Sequence, residues 1–198
     1  DGTTGDARIT WSYGKTWTGA VSANWAVGGN WSDGIAPGSG SDVVIPDVGN
    51  DPVLTAAAQA REVYVTTGIL GLASYTLQTY GNFTMDCMAA LNAGTGTVSL
   101  QGGGSCAVNV ANVAFNTLQV TSNTPATVTA TLASANSLVV DSGSSLAIAG
   151  GSTLRVHNGS TVNGALPVQS GNGKLALGSG VTLALSATSS FAAQPGST

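Results

Sequence analysis

Few residues in this 198-residue chain are able to do chemistry, and their spacing decides what they can do. Cys87 and Cys106 stand 19 positions apart (106 − 87). In a stack of strands that separation is close to one coil, and stacked positions lie about 4.8 Å apart, within the Cα range of a disulfide. Such a bridge would close a loop of about 20 residues and add about 3 kcal/mol. The rival readings are buried free thiols, or a metal pair with no further His or Cys nearby to complete it. A disulfide is the expectation. His157, the single histidine, falls at a turn between Val156 and Asn158. Without a second His or a Ser–His–Asp arrangement it reads as a solvated turn residue.

Asp42, Asp47 and Asp51 crowd the stretch around PDVGNDP. Three loop carboxylates can hold Ca²⁺, but the spacing is neither that of an EF-hand nor that of an RTX repeat, so turn capping is the reading. Glycan cleavage needs paired carboxylates, or a carboxylate and a base, on one face. From residue 63 onward the only acids are Asp86 and Asp141, and the only bases Arg155, His157 and Lys174. That supply is too sparse for an enzyme, so no catalysis, cofactor or metal is expected. The sequons at Asn30, Asn82 and Asn158 are what chance places in a Ser/Thr-rich chain.

The tryptophans are the remaining group with chemical reach. NWAVGGNWSDGIAPGSGSDVVIP, Asn24 to Pro46, holds two of the four, each after an asparagine. Trp17, Trp25 and Trp31 with Asn24 and Asn30 admit two readings. They cover one end of a repetitive core, each ring contributing up to about 4–6 kcal/mol from roughly 150–250 Å² at 25 cal/mol/Å². Or they are exposed as a platform on which a sugar stacks. Burial explains their position at the start of the repeats, and the cap is preferred. Asn24, Asn30 and Asp42 are expected to bond turn amides.

The elements that must carry these residues are short. Only 7% of the chain is Asp, Glu, Lys or Arg, against roughly 25% in an ordinary globular domain. The surface is therefore Ser, Thr, Asn, Gln and Gly, while 42% hydrophobic residues are ample for a core. A net charge of −4 and unclustered basic residues argue against nucleic acid. No apolar run reaches the roughly 20 residues of a membrane span. The chain opens on Asp1 and reads as a mature form or as a segment of something longer. Paired cysteines in a Lys-poor, Ser/Thr-rich chain suit export.

LTAAAQARE, Leu54 to Glu62, is the best helix candidate, yet it is short and uncapped, and it reads as a turn or one helical turn. Elsewhere apolar and polar residues alternate briefly, as in Val63/Val65, Leu70/Leu72, Leu77/Thr79, Val98/Leu100, Val108/Val110, Leu118/Val120, Leu138/Val140 and Leu175/Leu177. Asn136 to Gly164 stacks as SLVVDSGS, SLAIAGGS, TLRVHNGS, TVNG. Leu138, Leu146, Leu154 and Val162 fall eight apart, and Val140, Ile148 and Val156 follow by two. One such strand-and-turn unit cannot bury its apolar face alone, so repetition implies stacked coils of about 16–24 residues, a β-solenoid. A β-sandwich of hairpins shares the strand spacing. Constant unit length, small turn residues and missing edge charges favour the solenoid.

The chain also resembles a known architecture. WTG (Trp17 to Gly19), NW, NWSDG, AP (Ala36, Pro37) and SDVVIP (Ser41 to Pro46) are similar to the opening module of large bacterial surface proteins, autotransporter passengers and haemagglutinin-like adhesins. PVLTAAAQAREVYVTTG, YTLQTYGNFT, LNAGTGTVSLQG and FNTLQVTS resemble the body repeats that follow it. The resemblance implies a right-handed parallel β-helix, export to the cell surface and an adhesive or matrix role, and it carries no catalytic residue across. Three regions are expected: an extended strand at 1–16, a Trp-rich cap at 17–46 and a solenoid body at 47–198. Residues 1–16 have no counterpart in that module. There Ala7, Ile9, Trp11 and Tyr13 alternate with polar residues, an apolar strand face in need of a partner. The last stretch, Gly180 to Thr198, keeps strand pattern without a capping element. End-to-end association of subunits, or continuation into a longer surface protein, is therefore expected, with a glycan as the alternative partner.

Overall fold

A computed structural model describes residues 14–102, 104–122, 124–157, 160–169, 172–177, 184–185 and 190–193. Ala7, Ile9, Trp11, Tyr13 and Asn158, and most of the stretch from Gly180, lie outside the described residues. The described chain is all-β, a solenoid of about six turns. Its one helical element is a 3-10 turn at Gly28–Asn30.

Three ladders of strands run along the solenoid. The first face stacks Lys15–Thr16, Asp42–Ile45, Glu62–Val65 and Phe83–Met85. It continues through the starts of two long strands, Cys106–Val120 and Pro125–Val140, to Ser145–Ile148, Ala165–Val168 and Ser190–Ala193. The second face holds Ile69–Gly71 and Ala90–Asn92, and further on the middles of the long strands, Thr153–Val156 and Lys174–Leu177. The third stacks Ala58–Ala60, Thr76–Thr79, Thr97–Leu100, the ends of the long strands, Thr161–Val162 and Ala184–Leu185. Among the described residues every strand pairing is parallel, which excludes the sandwich of hairpins, and the one antiparallel contact is an isolated bridge between Trp17 and Trp31. Because Lys15–Thr16 and Asp42–Ile45 are themselves rungs, the tryptophan module is threaded between the first two coils.

Coil length follows from the register. Val43, Val63 and Phe83 stack at intervals of 20 residues (63 − 43, 83 − 63), as do Val108, Val128, Ile148 and Val168. From Phe83 to Val108 the coil takes 25 (108 − 83), and the glycine-rich corner at 101–105 lies within it. Alternation within each rung sends every second side chain inward. Leu138, Val140, Leu146, Ile148, Leu154, Val156 and Val162 are all buried, as the eight-residue period requires. The last alternating pair departs from the pattern: Leu175 is only partly buried and Leu177 is exposed. LTAAAQARE also departs. Ala58–Ala60 is a strand, its two alanines turned into the core beneath Leu77 and Thr79, because pairing with the next coil outweighs the helix preference of an Ala-rich stretch.

The repeat carries a second device, at the corners. Strand Pro125–Val140 pairs with the following coil at 125–128, 133–135 and 139–140. Thr124, Ala130 and Leu138 fall before and between those stretches. Their amides donate to the buried hydroxyls of Ser144 (3.2 Å), Ser152 (3.0 Å) and Ser160 (3.0 Å). The serine that closes each eight-residue unit thus binds a backbone amide of the preceding coil, and the Thr124 amide also reaches the Thr121 carbonyl (3.2 Å). Corner glycines are held sterically as well: a Cβ on Gly94, at φ 51°, would lie 2.2 Å from the Ala73 carbonyl oxygen of the coil before.

Candidate functional site

The tryptophans gather as a cap. Trp17, Trp25 and Trp31 are 0%, 3% and 2% exposed. Trp31 meets the other two edge to face, with centroids 5.1 Å from Trp17 and 4.7 Å from Trp25. Trp17 Nε1 donates to the Asn50 carbonyl (2.6 Å) and Trp31 Nε1 to that of Trp25 (2.9 Å); Trp25 Nε1 is buried without a partner among the described residues. Rings packed in this way offer no open face for a sugar.

Asn30 holds the loops around them. Fully buried, it accepts from the amides of Val21 and Ser22 (both 2.8 Å) and donates to the Ser22 hydroxyl (3.1 Å) and the Asn24 carbonyl (2.8 Å). All its hydrogen-bonding capacity is used inside the fold, so its sequon is closed to modification. Asn24 caps the Ala26 amide (2.9 Å) and accepts from Thr55 (2.8 Å). Both asparagines bond turns as expected.

The charged residues act as struts. Lys15 pairs with Asp33, tying the first rung to the loop after Trp31, and that bond holds the Asp33 carboxyl below its usual range. Asp51 accepts from the Ile69 amide (3.1 Å), a capping bond between coils. Asp42 was expected to cap a turn and does something else. It receives a two-pronged contact from Arg61, which offsets the stacking of Asp42 against Glu62 on the next rung and raises the guanidinium's already high affinity for its proton. Tyr64 donates to Asp86 (2.7 Å). His157 is half-buried at its corner, and its carbonyl accepts from Ser160 (3.1 Å). Among the described residues no three of His, Cys, Asp and Glu come together as a metal would need, and no helix is long and apolar enough to cross a membrane.

The expected disulfide is not formed. Both thiols are free, Cys87 exposed and Cys106 buried. The reason is the 25-residue coil: Val108 stacks on Phe83 and Val110 on Met85, so Cys106 falls in register with position 81 and not with Cys87. A separation of 19 residues falls one short of the 20-residue coils from Val43 to Phe83 and six short (25 − 19) of the coil at this point. Burial pushes the Cys106 thiol above its usual range, and the charge of Glu62 adds to the effect.

Two of the hollows among the described residues lie near the cap and the first coils. A hollow of about 320 Å³ on the first face is lined by Glu62, Tyr64, Asn82 and Thr84. A second, of about 250 Å³, lies where the cap meets the third face, between Trp25, Ala36 and Pro37 on one side and Thr55 to Gln59 with Gln78 on the other. Sequence reading missed this place because its walls come from segments far apart in the chain. The only signal was the outward glutamine in AQA and TLQT. Comparison with protein-family models, with curated proteins and with solved structures finds no match.

Proposed function

We propose that this chain is a non-catalytic structural or adhesive solenoid that works outside the cell and associates end to end with further coils. The observation that carries this reading is the ladder. Among the described residues the first-face sheet runs from Lys15–Thr16, beside the tryptophan cap, to Ser190–Ala193, the last strand in its order. A rung with one neighbour presents unpaired backbone groups to the next chain that fits its edge. Contacts of this head-to-tail kind do not close, so they build filaments. The use of charge agrees with a scaffold: Lys15–Asp33 and Arg61–Asp42 brace neighbouring segments. The Lys-poor, Ser/Thr-rich composition is the support for export.

Sedimentation velocity over a concentration series tests the association. The full chain is expected to form species that lengthen with concentration. Deletion of residues 1–14, which removes Trp11 and Tyr13, is expected to stop their growth. Unchanged assembly by the shortened chain would remove the N-terminal segment from the proposal.

A further inference from the structure

We infer that the hollow beside Trp25 and the third face leading away from it bind a neutral polysaccharide, one terminal sugar seated in the hollow and the chain lying along the solenoid axis. The inference rests on the adhesive reading and names the surface it would adhere to.

The first ground is charge. No ionisable side chain lines the hollow, so an anion would find no cation there and a cation no carboxylate. The second is the division of its walls. The half-buried Ala36 and Pro37 and the exposed Ala57 offer apolar surface over the buried Trp25, and Gln59 and Gln78 offer amides. Gln59 Nε2 donates to Gln78 Oε1 (2.8 Å) and makes a longer contact with Tyr80 Oη (3.4 Å). Gln78 Nε2 and Gln59 Oε1 have no partner among the described residues, so the pair retains a donor and an acceptor. A wholly apolar ligand would leave those amides unpaired. A sugar ring presents C–H groups on its face and hydroxyls at its edge, which matches both walls. A volume near 250 Å³ is below the usual range of about 300–1,000 Å³ for drug-sized ligands and suits one ring.

The third ground is the surface that continues from Gln78. Two residues before it, Thr76 is in register with Thr97, then Thr117, then Ser137, one per coil, each half-buried. Rungs repeat every 4.8 Å or so along the axis, close to the advance of one sugar in an extended pyranose chain. The column therefore meets successive sugars with the same hydroxyl chemistry.

Calorimetric titration of the full chain with cellohexaose, laminarihexaose and chitohexaose, and with an anionic hexagalacturonate as control, tests the inference. At least one neutral hexamer is expected to bind, with an affinity that does not change between low and high salt. Ala57→Trp fills the hollow from an exposed position and is expected to weaken binding at least tenfold, as is the double change Gln59→Ala with Gln78→Ala. Thr129→Ala, on the first face, is expected to leave it unchanged, and circular dichroism confirms that each variant folds. No binding by any neutral hexamer overturns the inference, as does binding that survives Ala57→Trp or prefers the anionic control. If Ala57→Trp alters self-association while no saccharide binds, the surface is a contact between copies and the inference is equally overturned. Because the scaffold is tested by sedimentation without any saccharide, failure of one reading leaves the other measurable.

Discussion

Cys106 sits at the inward position of its rung beside Ala126 of the next coil, while Cys87 is exposed on the corner after Phe83–Met85. Their chemistry must therefore differ. A maleimide is expected to label one thiol, Cys87, in the native protein and both after denaturation, since burial protects Cys106 and keeps it protonated. A native mass two hydrogens below the dithiol value would restore the disulfide. Thr79 is the other buried residue at odds with its surroundings, its hydroxyl lacking a partner in the stack between Ala60 and Leu100. Thr79→Val keeps the shape and is expected to raise stability by about 1 kcal/mol, read from the denaturant midpoint. Asp33 supplies a pH dependence. Its carboxyl is ionised more readily folded than unfolded, so the stabilisation is present above the ordinary Asp value of about 3.9 and fades as pH falls through the lower folded value. Both partners lie near the surface and the effect is small. The difference in melting temperature between Asp33→Asn and the parent should shrink in acid.

At the scale of elements, the eight-residue period was legible because each unit is one rung plus one corner, and Leu138, Leu146, Leu154 and Val162 supply the third, first, second and again the third face in turn. Leu146 shows what depends on this, lying between Ala126 and Leu166 with no exposed surface. Leu146→Asp would bury an unpaired charge, and it is expected to unfold the neighbouring coils. The corner serines are visible in the sequence as the constant residue before each strand, although their role is not, since it depends on a backbone amide some 20 residues earlier. Ser160→Ala strands the Leu138 amide and is expected to cost about 1–3 kcal/mol, whereas Ser142→Ala, at an exposed corner, should cost almost nothing. Two features escaped the sequence for physical reasons. The disulfide expectation equated separation in sequence with separation in coils, and the long coil between Phe83 and Val108 breaks that equality. The strand at Ala58–Ala60 is set by the register of the following coil, which local propensity does not contain.

At the scale of the whole molecule, the ladder has an aromatic cluster beside its first rung. Three packed indoles close the first coil, with Asn30 locking the loops that carry them, whereas Ser190–Ala193 ends the described ladder with a neighbour on one side. The cap was legible from the spacing of Trp17, Trp25 and Trp31. The hollow beside it was not, because Trp25, Ala36, Ala57 and Gln78 meet only through the stacking of separate coils. The proposed end-to-end assembly rests on terminal rungs that have one neighbour among the described residues, and electron microscopy of concentrated full-length protein tests it most directly. The account predicts unbranched filaments one solenoid wide, whose strands lie across the fibre and give an axial repeat near 4.8 Å in fibre diffraction. Particles that remain single solenoids at every concentration would contradict it.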